Sequence, residues 1–150
     1  MKKIPLTKGK FALIDNGDFS NVSRFKWCWS HGYAKRRSKS GKPIYLHRFI
    51  LKPKINQLVD HKNYNGLDNQ RSNLRICSKA ENTRNQRLSK RNKTGYKGVY
   101  FHKDRGCWSA NIGMGGKHYA KYCRSKEIAA IEYNRMALRF FGEFAKLNPI

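Results

Sequence analysis

Short runs in which hydrophobic and polar residues alternate occupy much of this chain, separated by turns rich in glycine and polar residues. In the N-terminal third, this alternation predicts two strands within residues 4–14, around Lys8-Gly9-Lys10, and further strands over 27–29, 33–37 and 44–51. A helical turn is expected over 19–25. In the C-terminal third, three strands are predicted over 98–102, 107–112 and 117–122.

The last of these strands is followed by a pattern with helical spacing. Ser125 is a suitable N-cap, and Glu127 suits the first turn of a helix. One face of the predicted helix carries the apolar residues Ala129, Ala130, Tyr133, Met136, Ala137, Phe140 and Phe141. The alanines predict that this helix packs closely on the three strands.

The middle of the chain, residues 58–87, combines this patterning with candidate chemistry. An apolar strand ends at Asp60-His61, and a polar loop containing Gly66 follows. Residues 74–77 are strand-like, and Ser78 is placed to begin a helix. The predicted order is therefore strand, loop, strand and helix.

Composition narrows the class of partner. Lys and Arg number 33 against 9 Asp and Glu, a formal net charge of +24. Such a field attracts polyanions, so nucleic acid is the expected partner. With 13% aromatic residues and recurrent strand patterns, the chain does not have the composition of a disordered polycation. A high content of basic residues is, by itself, also typical of ribosomal proteins.

The cysteines and the apolar runs set further expectations. Cys28, Cys77, Cys107 and Cys123 include no Cys-x-x-Cys pair, so no structural zinc is expected. No apolar run approaches the roughly 20 residues needed to cross a bilayer, and the N-terminus lacks a signal-peptide pattern. We expect no membrane association and a cytoplasmic location, in a bacterial or phage-infected host cell.

Asp60-His61, Asn73 and Asn82 resemble the HNH nuclease motif, in the form found in phage and intron-homing endonucleases. Asn73 follows His61 by twelve positions, and Asn82 follows Asn73 by nine, as in that branch. The resemblance implies a ββα-metal core that hydrolyses DNA phosphodiesters with a divalent metal, Mg²⁺ or Mn²⁺. It assigns metal binding to Asp60 and Asn82 and the general base to His61. Asn73 has a supporting catalytic role in that family, which is to hold the loop between the strands and to orient His61 by a hydrogen bond.

These residue types suit that chemistry. Carboxylate and amide oxygens are ligands for a hard cation, and a neutral imidazole near pH 7 can accept a proton from water. Asn85 and Gln86 share the helix face of Asn82 and are alternative ligands. His47 could contact DNA near the site, although packing inside the fold is the more common role of a histidine in an apolar run.

The C-terminal pattern resembles a second family. Gly95-Tyr96-Lys97-Gly98-Val99, Trp108 and residues 141–145 are similar to the Apetala/ethylene-response-factor DNA-binding domain, three strands packed on one helix. The sequence departs from that pattern at residues 121–124. The resemblance implies that the sheet enters the major groove of duplex DNA.

Together these patterns predict an α+β protein with two domains. Residues 1–87 are expected to form the HNH nuclease domain, in which a β-rich N-terminal extension precedes the ββα-metal core. Residues 88–94 are expected to form a basic linker, and residues 95–150 the DNA-binding domain. Expected DNA contacts around the catalytic site are Arg71, Arg75, Arg84 and Arg87. Those of the C-terminal sheet are Lys97, Tyr100, His102, Lys103, Arg105, Trp108, Lys117, Tyr119 and Lys121, and the alternation does not decide which face of the sheet points outward.

The predicted function is that of a monomeric, metal-dependent endonuclease acting on double-stranded DNA. It would nick or cut a long, tolerant site and leave 5′-phosphate and 3′-hydroxyl ends, as the family resemblance implies. Two alternatives come from other classes of protein. One is a non-catalytic DNA-binding protein such as a phage regulator, and the other is an RNA-binding ribosomal or ribonuclease protein.

Overall fold

The computed structural model describes residues 1–86, 88–89 and 91–150. The chain forms an α+β fold of small antiparallel sheets and few helices, which confirms the predicted class. It divides into two compact units, Met1–Lys79 and Ala80–Ile150. Among the described helices, none combines the length and the apolar character needed to span a membrane.

The first unit is built mainly from hairpins. Its strands are β1 (Lys2–Pro5), β2 (Phe11–Ile14), β3 (Cys28–Ser30), β4 (Tyr33–Arg37), β5 (Pro43–Tyr45), β6 (Leu58–His61) and β7 (Leu74–Cys77). Its helices are α1 (Phe19–Val22) and α2 (Leu46–Leu51). The sheets are β1-β2, β3-β4-β5 and β6-β7, all with antiparallel pairing.

A single apolar core joins these small sheets. It contains Ile14 from β2, Ala34 from β4, Leu46 from α2 and Leu74 from β7, each almost completely buried. Trp27 is buried in the same core, where its indole Nε1 donates to the Val22 carbonyl at 3.0 Å. No two-stranded hairpin could bury such a core alone, so the hairpins depend on one another for stability.

The predicted strand over 44–51 is wrong beyond Tyr45. The chain turns there into α2, which buries Leu46 and Ile50, four positions apart on one helix face. Lys52 caps the C-terminus of the helix in a left-handed conformation (φ 47°), just before Pro53. A short apolar run carries both strand and helix periodicity, and burial against β4 and β7 decides between them.

The second unit contains the helix α4 (Lys126–Phe141) and the strands β8 (Val99–His102), β9 (Cys107–Met114) and β10 (Lys117–Cys123). The strand order is β10-β9-β8, and α4 packs on this sheet through Ala129, Ala130, Tyr133 and Ala137. Ser125 caps the helix as predicted, because its hydroxyl accepts from the Ile128 amide at 3.2 Å. The division between the units falls within α3 (Lys79–Arg84), after its first residue.

Candidate functional site

The β6–β7 hairpin carries the acid and the histidine. In its register, Asp60 lies opposite Arg75 and His61 lies opposite Leu74. Successive residues of a regular strand point to opposite faces, so Asp60 and His61 can serve one site only where the strand ends. His61 is the last residue of β6, and the chain leaves the strand immediately after it.

Asp60 is held by an arginine. The Arg75 guanidinium donates to Asp60 Oδ2 from Nη2 at 2.8 Å and from Nε at 3.0 Å. Only 12% of the Asp60 side chain and 10% of the Arg75 side chain are exposed. The carboxylate is therefore largely removed from water, with a cation beside it.

His61 is buried, and its ring orientation is fixed by an asparagine. Its Nε2 lies 3.4 Å from Asn69 Oδ1, and Asn69 is itself completely buried. An amide oxygen can only accept, so Nε2 carries the proton of the neutral ring. Nδ1 then holds the lone pair and can accept a proton from a water molecule.

The position of Asn69 depends on a contact from a distant part of the sequence. The Leu13 amide donates to the Leu67 carbonyl, and the Asn69 amide donates to the Leu13 carbonyl, both at 2.8 Å. Strand β2 thereby holds the loop between β6 and β7. Nothing in the local sequence around Asn69 predicted its contact with His61.

Asn73 organises the same loop. Its side-chain oxygen accepts from the Asn63 amide at 3.0 Å, and its Nδ2 donates to Asn63 Oδ1 and to the Asp68 carbonyl. These contacts tie Asn73 to both Asn63 and Asp68 of the loop. The side chain within hydrogen-bond distance of the His61 ring is that of Asn69.

The electrostatics of the site favour a neutral His61 near pH 7. Burial lowers the pKa of His61 from 6.5, while the Asn69 hydrogen bond and the Asp60 and Asp68 carboxylates act in the opposite direction. The net shift is downward. A neutral imidazole is the form that can act as a general base.

The donor chemistry of the hairpin fits a hard divalent cation. Asp60 offers a carboxylate, and no described group of three or more His, Cys, Asp or Glu residues is arranged to hold a metal ion. A cation bound at Asp60 would therefore take most of its ligands from water and phosphate, as Mg²⁺ does. Asn82 is half-buried on α3, within the second unit, and its function as a ligand stays a prediction. The two alternative ligands on this helix face differ in exposure, since Asn85 is buried and Gln86 is exposed.

Three of the four arginines predicted to contact DNA around the catalytic site have partners within the protein. Arg71 forms an ion pair with Asp18 at 2.7 Å, and Arg75 is paired with Asp60. The guanidinium of Arg84 lies 4.8 Å from the Phe141 ring centroid. Arg87 lies outside the described residues.

The sheet of the second unit has two distinct faces. Lys121 pairs with Glu132 of α4 at 3.0 Å, the Tyr119 ring lies 4.6 Å from that of Phe140, and Trp108 packs against the core. The structure therefore places Trp108, Tyr119 and Lys121 on the side that faces α4. Lys97 also has internal partners, since its ammonium donates to the Arg84 and Gln86 carbonyls.

The opposite face is polar and aromatic. Tyr100 lies opposite Ser109, and Ser109 lies opposite Tyr122, so all three share this face. His102 Nε2 is 2.8 Å from the Ser109 hydroxyl. The Arg105 guanidinium lies 5.1 Å from the Tyr122 ring centroid. Lys103 and Lys117 are exposed.

Three polar residues of this outer face were missed in the sequence analysis. Asn111 donates from Nδ2 to the Ser109 hydroxyl at 2.8 Å, and the Tyr122 ring lies 5.4 Å from that of His102. The regular alternation within β9 and β10 could have identified them, because it shows which residues share a face of the sheet once one residue is assigned to a face. We define the outer face as Tyr100, His102, Ser109, Asn111 and Tyr122.

Comparisons with known proteins found relatives in two viruses. An uncharacterized HNH endonuclease of Acanthamoeba polyphaga mimivirus is 33% identical over 156 residues, which cover 95% of this chain and 77% of the viral protein. Protein 3.8 of Escherichia phage T7 is 32% identical over 91 residues, covering 60% of this chain and 74% of the phage protein. No family model matches the chain, and no solved structure matches it significantly. The identity to the mimivirus protein over nearly the whole chain shows that this protein belongs to the HNH endonuclease family.

Proposed function

We propose that this protein is a metal-dependent DNA endonuclease in which His61 activates the water that attacks a phosphodiester. The observation that carries the proposal is the contact between His61 Nε2 and Asn69 Oδ1. It fixes the tautomer in which Nδ1 is free to accept a proton. A buried, oriented and neutral imidazole next to a carboxylate on the same strand is suited to general-base catalysis.

In the proposed reaction, His61 Nδ1 accepts a proton from the water as its oxygen bonds to phosphorus. The 3′ oxygen departs on the opposite side and takes a proton from water, which leaves 5′-phosphate and 3′-hydroxyl ends. Asp60 would hold the Mg²⁺ or Mn²⁺ ion, with Asn82 as the predicted second ligand. When bound, such an ion neutralises negative charge on the phosphoryl and leaving oxygens. Asn73 and Asn69 keep the loop and the base in place.

Two surfaces are suited to the DNA backbone and bases. In the first unit, Lys26, Lys35, Arg36 and Arg37 line one pocket. In the second unit, the outer face offers hydroxyl, amide and imidazole groups with Arg105 at its edge. We propose that the first surface contacts phosphates and that the second reads a duplex groove.

The test is cleavage of supercoiled plasmid and phage DNA in Mg²⁺, Mn²⁺ or EDTA. Wild type should cut only with metal, while His61→Ala and Asp60→Ala should lose cutting yet still bind DNA. His31→Ala is the matched control, because His31 is exposed in the same unit. With one motif per monomer, we expect nicked circles to appear before linear DNA.

Two results would contradict the proposal. Tight duplex binding without cutting in any metal would identify a non-catalytic DNA-binding protein. Preferential binding of RNA over duplex DNA would identify an RNA-binding protein. Either result would mean that the protein belongs to the HNH family without having the proposed activity.

A further inference from the structure

A second histidine lies against the proposed general base. His47, the second residue of α2, is only 9% exposed, and its ring centroid is 5.1 Å from that of His61, with the ring planes at 85°. Tyr45 stacks on one side of the His47 ring at 5.5 Å, and Tyr33 meets it edge-on at 5.7 Å. The imidazole is thus fixed by aromatic rings, and the proposed reaction does not yet use it.

The two nitrogens of this ring are in different surroundings. Nδ1 is fully buried and has no hydrogen-bond partner within the described residues, whereas Nε2 is not enclosed in this way. A buried N–H without an acceptor costs about 1–3 kcal/mol, and orphaned donors are rarer in proteins than under-satisfied acceptors. The proton of the neutral ring therefore belongs on Nε2, where it can reach water or a ligand.

His47 also remains neutral beside His61. Burial, together with the nearby His61 and Arg48, lowers the pKa of His47 to about 3. At neutral pH the ring thus neither carries a positive charge nor competes with His61 for the proton of the attacking water. At neutral pH it is therefore a neutral N–H donor beside His61.

We infer that His47 is a catalytic residue whose Nε2–H donates a hydrogen bond to a non-bridging oxygen of the scissile phosphodiester. This inference rests on the proposed nuclease function. A general base lies about 2.6–3.2 Å from the water it deprotonates, and that water lies about 3–3.5 Å from phosphorus before attack. A ring centred 5.1 Å from the His61 ring can therefore reach the oxygens of the same phosphate. A fixed donor there stabilises charge that develops in the transition state.

If His47 only packs against its neighbours, substitutions should have different effects on cleavage. Two variants therefore distinguish a packing function from hydrogen bonding to the phosphate. His47→Phe keeps an aromatic ring between Tyr45 and His61 but removes the N–H donor. His47→Gln loses the ring and restores an amide N–H near the position of Nε2. If packing alone matters, the Phe variant should be active and the Gln variant impaired.

The experiment is single-turnover cleavage of a mapped DNA site at saturating metal, with DNA affinity and thermal unfolding measured alongside. His31→Phe, at an exposed position of the same unit, is the control for the substitution itself. Removing a single donor to a developing oxyanion typically slows the chemical step by about 10²–10³-fold, and we expect this for His47→Phe with DNA affinity within about twofold. His47→Gln should recover at least tenfold over the Phe variant.

Phosphorothioate substrates supply a second readout that packing would not alter. Sulfur replaces each non-bridging oxygen of the scissile phosphate in turn. At one diastereomer, sulfur should slow wild type more than it slows His47→Phe, which lacks the donor, and His47→Gln should keep a diastereomer-specific effect. If the Phe variant does not fold, wild type and the Gln variant still test the inference, because both should show different thio effects at the two diastereomers.

The inference is overturned if His47→Phe cleaves within about threefold of wild type, or if both diastereomers give equal thio effects in all three proteins. Its failure is distinct from that of the proposed function. If wild type cuts and His61→Ala does not, while His47→Phe cuts normally, only the inference fails. If wild type does not cut in any metal, both fail.

Discussion

Arg75 and Asp60 face each other across the β6–β7 hairpin, with Nη2 of the arginine 2.8 Å from Oδ2 of the acid. This ion pair is a direct result of strand register, and both side chains are almost buried. In the absence of metal, Arg75 supplies positive charge at the carboxylate that we propose as the metal ligand. Arginine and metal thus stabilise the same anionic group.

Replacing Arg75 should make the stability of the protein depend on metal. Arg75→Ala leaves the Asp60 carboxylate without this cation, and breaking a buried pair from one side costs about 3–5 kcal/mol. Mg²⁺ or Mn²⁺ should then raise the free energy of unfolding more in the variant than in wild type, because a ligand that binds only the folded state stabilises it. Urea unfolding in metal and in EDTA measures the difference. Arg71→Ala, which breaks the more exposed pair with Asp18, is the control, and an equal metal response in the two variants would contradict the prediction.

Acidification should destabilise the first unit through His47. The pKa is about 3 in the folded state and 6.5 for the unfolded reference, so the unfolded chain binds a proton that the folded chain excludes. The associated stability is complete above pH 6.5 and is lost as the pH falls toward 3. At pH 5 the loss relative to pH 7 is about 2 kcal/mol.

This loss can be measured by urea unfolding in a Trp108→Phe background. The remaining tryptophans, Trp27 and Trp29, both lie in the first unit and report its unfolding. His47→Phe should show about 2 kcal/mol less destabilisation between pH 7 and pH 5 than the protein that retains His47. The same pH dependence with and without His47 would contradict the assignment of a buried neutral ring.

DNA binding should distinguish the two faces of the second-unit sheet. Arg105→Ala should weaken duplex binding and reduce the slope of log K against log salt by about 0.9, the value for one lost phosphate contact. Lys121→Ala should leave that slope nearly unchanged, because Lys121 pairs with Glu132 on the helix side. Fluorescence anisotropy at several salt concentrations provides the comparison. A larger change in slope for Lys121→Ala than for Arg105→Ala would show that the opposite side binds DNA.

Gly98 should be essential for the second unit to fold stably. Its φ is +68°, and a Cβ there would lie 2.2 Å from the Tyr133 ring and 2.7 Å from the Asn111 carbonyl oxygen. Gly98→Ala should cost about 3 kcal/mol, from backbone strain and overpacking together. Gly106→Ala is the matched control. Its φ is +60° with no atom within 4 Å, so it should cost only about 1–2 kcal/mol.

These two costs are measured by urea unfolding followed at Trp108, in a background that lacks Trp27 and Trp29. Equal costs for the two alanines would show that the ring of Tyr133 moves away without penalty. That result would also remove the reason for a glycine at position 98.

Strand periodicity predicted most of the fold because each hairpin has local signals. The β9 and β10 strands alternate regularly around Gly115-Gly116, and the Ser125 cap marks the start of α4. Residues 46–51 were assigned incorrectly because six residues are too few to separate a period of two from one of 3.6. Burial of Leu46 and Ile50 against distant strands determines the helix there.

Only part of the candidate site could be predicted from the sequence. Asp60, His61 and Asn73 carry a motif of fixed spacing, and the motif predicted the hairpin that contains them. Asn69 was missed because its contact with His61 requires β2, more than 50 positions away along the chain. Alternation alone also left the sheet faces undecided, since aromatic residues occur on both, and only the docking of α4 assigns Tyr119 inward and Tyr122 outward.

The most direct test of the general base is chemical rescue. Single-turnover cleavage of a mapped DNA site is measured for wild type and for His61→Gly at saturating metal, with and without added imidazole. Loss of a positioned base typically costs about 10²–10⁴-fold, and free imidazole should restore part of the rate in the glycine variant while leaving wild type unaffected. Cleavage by His61→Gly at the wild-type rate without imidazole would contradict the assignment of His61 as the base.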